Sequence, residues 1–304
     1  MKVKFEGVYP AVTTKFHEDE SLDLPNFEKN LAAQISAGVD GLVVAGSLGE
    51  NSTLTTEEKL QLIRSARSVS DGRVPVIVCV AERRTRDALA FLEASAKAGA
   101  DGLMLLPPMR YTADERETAQ FLRTVAGSTD LPIMLYNNPL AYNIMITLNI
   151  LDELSDLPNI QAIKESCGEI RYMTDIINRF GNRYKILSGV DDLALESLLM
   201  GAVGWVAGLV CAFPAETVAI YRLAKAGRIE EARKIYRWFI PLLHLDVSTK
   251  LVQNIKLAEV ATGLGTEYVR APRLPLEGEE RENVWQTIQN ALKTRPELPD
   301  YLNL

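Results

Sequence analysis

Lys164 interrupts the apolar run Ile160 to Ile163 and is followed by Glu165 and Ser166. An ammonium set in such a run loses hydration, which lowers its pKa towards values where the neutral amine attacks a carbonyl. The chemistry implied is a Schiff base with a small carbonyl compound. A plainer arrangement is also open, in which Lys164 pairs with a carboxylate such as Glu50 or Glu165, or points away from the interior.

Tyr136 ends a second apolar run, Pro132 to Leu135. On a strand beside that of Lys164 its phenol would face the same mouth and could pass protons between carbinolamine, imine and substrate carbon. A half-buried tyrosine with a satisfied hydroxyl fits the same residues. The only histidines are His17 and His244, which leaves imidazole-based zinc and Ser-His-Asp chemistry without its usual groups. The turn Gly46-Ser47-Leu48-Gly49-Glu50-Asn51-Ser52 sets small residues and backbone N–H groups beside a hydroxyl, a cradle for a carboxylate. A metal site would need carboxylates at several adjacent strand ends, where Glu82, Pro107 and Asn137 stand instead, so neither metal nor cofactor is expected.

Such residues need a frame that aims them at one point. Short apolar runs alternate with amphipathic stretches, and eight strand candidates are read at 7–14, 40–46, 74–81, 100–107, 131–137, 160–166, 184–189 and 203–208. Their near-continuous apolar character is that of buried parallel strands. Helices are expected from Pro25, Thr55, Thr85, Ala113 and Asp191, with Thr55 to Glu58 reading as a capping box. The phrases AGVDGLVV and AGADGLML are a repeated structural solution rather than a site.

Eight such units predict an α/β fold, a TIM (β/α)8 barrel over residues 1–212, with a helical region packed on it over residues 213–304. No Gly-rich dinucleotide turn follows the first strand, which disfavours an open doubly wound sheet. Since barrel sites form at the C-terminal strand ends, the polar residues there, Thr14, Ser47, Tyr111, Tyr136 and Lys164 among them, and Gly189 are candidates.

The chain has 304 residues, 47% hydrophobic and 24% charged, with a net charge of -7. An acidic surface argues against nucleic acid or anionic membrane as partner. Cys79, Cys167 and Cys211 form no C-x-x-C pair, and the N-terminal stretch is broken by Glu6, Gly7 and Pro10 before it reaches signal length. A cytoplasmic protein is expected.

The segments G-S-L-G-E-N-S-T-L-T-T-E-E-K, L-Y-N-N-P and A-I-K-E-S, in this order, resemble the N-acetylneuraminate lyase and dihydrodipicolinate synthase family over nearly the whole chain. The resemblance implies that Lys164 forms the imine, Tyr136 shuttles protons, and the Gly46, Ser47 turn holds the 2-oxo acid carboxylate. It places Gly189 and Val206 along the imine pocket and makes Tyr111 a loose match to a tyrosine that relatives lend to a neighbouring subunit. A homotetramer built as a dimer of dimers is implied as well.

Two departures bear on substrate. Leu48 stands where the synthases usually carry a second threonine of the proton relay, and Leu140 to Asn143 offers no arginine for a second carboxylate. GSLGEN, PPMRY, YNNPLAY, SGVDDLALE and PLLHLD look closer to a synthase-like branch that includes deaminases of 1-pyrroline-4-hydroxy-2-carboxylate. An authentic 4-hydroxy-tetrahydrodipicolinate synthase and a barrel that only binds a small acid are the alternatives.

Overall fold

Each of the eight apolar runs becomes a parallel strand: β1 (Gly7–Pro10), β2 (Leu42–Val44), β3 (Val76–Val80), β4 (Gly102–Leu105), β5 (Ile133–Asn137), β6 (Ile160–Glu165), β7 (Lys185–Ser188) and β8 (Gly204–Ala207). The computed structural model describes residues 3–108 and 111–304. Hydrogen bonding runs in the order β1-β8-β7-β6-β5-β4-β3-β2. A single bridge between Ala11 and Val43, reinforced by Val12 N donating to Val43 O at 2.9 Å, joins the two ends into a TIM barrel.

Almost every strand residue is buried, because side chains pointing inward meet the barrel core and those pointing outward meet helices. Gln161 is the exposed exception in β6. The register sets Tyr136 beside Lys164 and Lys164 beside Leu187. Paired residues on parallel neighbours share a face, so the phenol and the amine point to the same interior.

The expected helices begin where their caps place them. Thr55 and Glu58 form the reciprocal capping box ahead of Thr56–Ser70, and Asp114 with Glu117 forms a second one ahead of Glu115–Ala126. Helices also follow β5 and β6, where none was named from sequence. Asn138 caps the short Pro139–Tyr142 helix by accepting from Ala141 N at 3.1 Å, with proline at the position whose missing N–H costs nothing. Ile170–Phe180 follows β6.

Pro214–Lys225 packs on β1, β8 and the Leu24–Ser36 helix, completing the outer ring. The last ring helix therefore lies beyond the boundary drawn at residue 212, since apolar β8 is the stronger signal in sequence. Ile229–Leu243, Leu251–Thr262 and Gly278–Lys293 make the remaining helical region. Val252 to Glu259 are all buried, charged Lys256 and Glu259 included. Lys256 Nζ meets Glu50 Oε1 at 2.6 Å, and Glu259 Oε1 meets Lys15 Nζ at 2.7 Å and Thr13 Oγ1 at 2.6 Å. The extension thus clamps the loops that follow β1 and β2. Among the described residues, no helix is long and apolar enough to cross a membrane.

Candidate active site

At the C-terminal strand ends lies a cavity of about 430 Å³ that Gly46, Ser47, Leu48, Tyr136, Lys164, Gly189 and Val206 all line. Seven of the nine sequence candidates are thus brought to one place. Lys164 is 6% exposed, and its Nζ stands 4.2 Å from the centroid of the Tyr136 ring. Burial lowers its pKa from the ordinary lysine value, and the nearby acidic groups Asp246 and Asp191 oppose that shift.

Neither carboxylate considered as a partner from sequence is one. Glu50 bonds Lys256 and lies 3.7 Å from Arg273 Nη1, while Glu165 accepts from Asn137 Nδ2 at 2.8 Å and from Cys167 N at 2.6 Å. Lys164 is left facing the cavity over an aromatic ring.

The Tyr136 hydroxyl accepts from Asn138 Nδ2 at 2.9 Å. Burial pushes the phenol up to about 12, with the Asn138 bond opposing, so at neutral pH the group holds its proton and can donate it. Ser166, whose Oγ makes no hydrogen bond of ordinary geometry, adjoins the phenol. Ser47 Oγ hydrogen-bonds the Tyr142 hydroxyl, and the Tyr142 ring meets that of Tyr136 edge-on at 5.9 Å. Tyr136, Ser47 and Tyr142 therefore present three hydroxyls to one cavity. Among the described residues the N–H groups of Ser47 and Leu48 make no hydrogen bond, which leaves two donors for a carboxylate.

Two candidates lie elsewhere. Thr14 is buried behind the turn, where its hydroxyl donates to Gly49 O at 2.6 Å, so it braces the cradle from outside instead of lining it. Tyr111 is 57% exposed and borders a separate surface cleft with Glu82 and Arg116. Its motif neighbours Met109 and Arg110 fall outside the described residues.

Tyr142 and Asp246 line the cavity and were not singled out from sequence. Tyr142 stands inside the same LAYN stretch that lacks an arginine, and its place follows from the short helix begun by Asn138. Asp246 comes from the helical extension, whose approach to the strand ends no local pattern announces.

Gly189 leaves room that the lysine needs. A Cβ there would stand 2.7 Å from Lys164 Cγ, 2.8 Å from Cε and closer still to Ser166 Oγ. Gly189→Ala is expected to turn Lys164 off its line, lowering kcat roughly a hundredfold, as misplacement by about 1 Å does. Steady-state assay beside a thermal melt checks this, and an unchanged kcat would show that the lysine tolerates the crowding.

A profile of the "Dihydrodipicolinate synthetase family" matches residues 4–291. The 4-hydroxy-tetrahydrodipicolinate synthase of Exiguobacterium sibiricum is 34% identical over 272 residues, covering 90% of this chain and 92% of that one. Among solved structures, dihydrodipicolinate synthase DapA-2 from Bacillus anthracis superposes with a TM-score of 0.91 at 30% identity, over 97% of this chain and 100% of that one. YagE of Escherichia coli K12, solved in complex with pyruvate, gives a TM-score of 0.89 at 28% identity, over 95% of this chain and 99% of that one.

Proposed function

Because the chain belongs to the dihydrodipicolinate synthetase family, we propose that it is a class I lyase whose Lys164 forms an imine with C2 of pyruvate or a close 2-oxo acid. The observation that carries this reading is a buried lysine, paired with neither Glu50 nor Glu165, over the ring of a phenol that keeps its proton. The substrate carboxylate rests on the free N–H groups of Ser47 and Leu48. Lys164 adds to C2, water leaves, and loss of a C3 proton turns the iminium into an enamine. Tyr136 moves protons to and from the substrate, with Ser47 and Tyr142 continuing the hydroxyl chain.

What the enamine then does fixes the reaction. The relatives' name supports a synthase that forms 4-hydroxy-tetrahydrodipicolinate. One observation favours a second reading: Leu140 and Ala141 line the cavity where a second carboxylate would want a cation. That wall suits a substrate with one carboxylate, such as 1-pyrroline-4-hydroxy-2-carboxylate, which would lose its hydroxyl as water and its nitrogen as ammonia. The proposal extends to a homotetramer made from two dimers, in which exposed Tyr111 meets a neighbouring subunit; light scattering measures that mass directly.

Borohydride reduction in the presence of each compound tests the imine. A stable mass increase on the peptide carrying Lys164 is the expected outcome. Formation of 4-hydroxy-tetrahydrodipicolinate would assign the synthase reaction, and ammonia release from the pyrroline the deaminase. No adduct with any 2-oxo acid would leave a protein that only binds a small acid.

A further inference from the structure

The mechanism above leaves one acid in the Lys164 cavity unused. Asp246 follows the Ile229–Leu243 helix, and its side chain reaches back to the end of β8. Gly208 makes room for it, since a Cβ there would stand 2.9 Å from Asp246 Cγ and closer to Oδ1. The Gly208 amide meanwhile holds a second acid. Asp191 accepts from Gly208 N at 3.1 Å, Leu209 N at 2.8 Å and Trp205 Nε1 at 2.9 Å.

Asp191 is therefore well supplied with donors, whereas Asp246 makes no side-chain hydrogen bond or ion pair among the described residues. Burial raises both carboxyls, but the three donors oppose that rise at Asp191 alone, so of the two the bare Asp246 takes the proton more readily. The Tyr136 hydroxyl is engaged by Asn138, and its ring face, not its oxygen, lies under Nζ. That leaves Asp246 as the acid available to the nitrogen.

We infer that Asp246 is the acid–base partner of the Lys164 nitrogen, protonating the oxygen that leaves as the imine forms and then standing as counter-ion to the iminium. This rests on the imine reading. The amine adds to C2, and the proton shed by nitrogen reaches the former carbonyl oxygen through the Asp246 carboxyl. That carboxyl next protonates the carbinolamine hydroxyl. The C–O electron pair departs with water, the nitrogen lone pair closes the C=N bond, and Asp246 remains as carboxylate. Ketone, amine and carboxylic acid have become iminium, water and carboxylate.

The local field has the required sign. Burial, reinforced by Asp191, pushes the Asp246 carboxyl well above the usual range, while burial draws Lys164 down. The groups facing Asp246 are Lys164 on β6, Tyr136 on β5, and Asp191 and Asp192 after β7. His244, in the same segment, lies 3.7 Å from Asp192.

Timed borohydride trapping with pyruvate, read by intact mass across pH, tests this. Asp246→Asn is expected to slow adduct formation at least about a hundredfold, with the adduct still on Lys164. The wild type should lose rate as pH rises through the Asp246 titration, and D246N should lack that limb. D246E should recover part of the rate, and Gly208→Ala, which crowds the carboxyl aside, should slow trapping in the same sense. Trapping by folded D246N at the wild-type rate and with the wild-type profile would overturn the assignment. A wild type that traps no 2-oxo acid overturns the imine reading itself, and the role of Asp246 with it.

Discussion

Lys164→Arg is expected to lower kcat at least about ten-thousandfold, the scale on which enzymes lose rate when a covalent nucleophile is removed. Arginine keeps the positive charge and much of the length, but its guanidinium stays protonated and forms no imine. The variant thus separates binding a 2-oxo acid from reacting with it. The cavity beyond Nζ has space for the larger head, so the melting temperature should stay close to that of the wild type. Retained turnover, or a borohydride adduct elsewhere in the chain, would remove Lys164 from the mechanism.

The largest stability effect is expected at a residue outside the cavity. Lys256 and Glu50 are both fully buried and meet at 2.6 Å. Removing one member of such a pair costs about 3–5 kcal/mol, because the survivor is left charged in a poor solvent. Glu50 keeps Arg270 N at 3.1 Å and Arg273 at 3.7 Å, which puts Lys256→Met near the lower end. A melting temperature lower by roughly 8 °C follows at the usual 2–4 °C per kcal/mol. Burial also pulls the Lys256 ammonium down to about 8, with Glu50 opposing, so the cation itself is held at some cost. The double variant Lys256→Met with Glu50→Leu should recover part of the loss, and calorimetry on the two proteins decides. Equal melting of wild type and Lys256→Met would show that the pair contributes nothing net.

The reason this pair matters for the site is local. Glu50 has φ +58, a left-handed conformation uncommon for residues other than glycine, and it closes the turn whose Ser47 and Leu48 line the cavity. Its carboxylate tethers that turn to the Leu251–Thr262 helix.

The fold was legible in the sequence wherever the signal is periodic and local. Strands buried on both faces read as unbroken apolar runs, and all eight were placed. Lys164 and Tyr136 could be set side by side for the same reason, each ending an apolar run on what became adjacent strands with matching register. Thr14 was harder, since standing near a strand end does not say whether a side chain points into the mouth or behind a turn. Asp246 and Lys256 were out of reach, because their places depend on how the extension folds back over the strand ends, Lys256 across more than 200 positions of chain to Glu50 and Asp246 to the cavity beside Lys164. Tyr142 needed the Asn138 cap to be recognised before its direction had meaning.

The single bridge between β1 and β2 gives the barrel a seam, and the seam carries a consequence for biosynthesis. All eight strands have been synthesised once residue 207 is made, yet Lys256 and Glu259, which secure the loops on either side of that seam, are translated about 50 positions later. A nascent chain can therefore close its ring before the turn after β2 is locked, and the finished mouth of the barrel is the last feature the polypeptide acquires as it emerges.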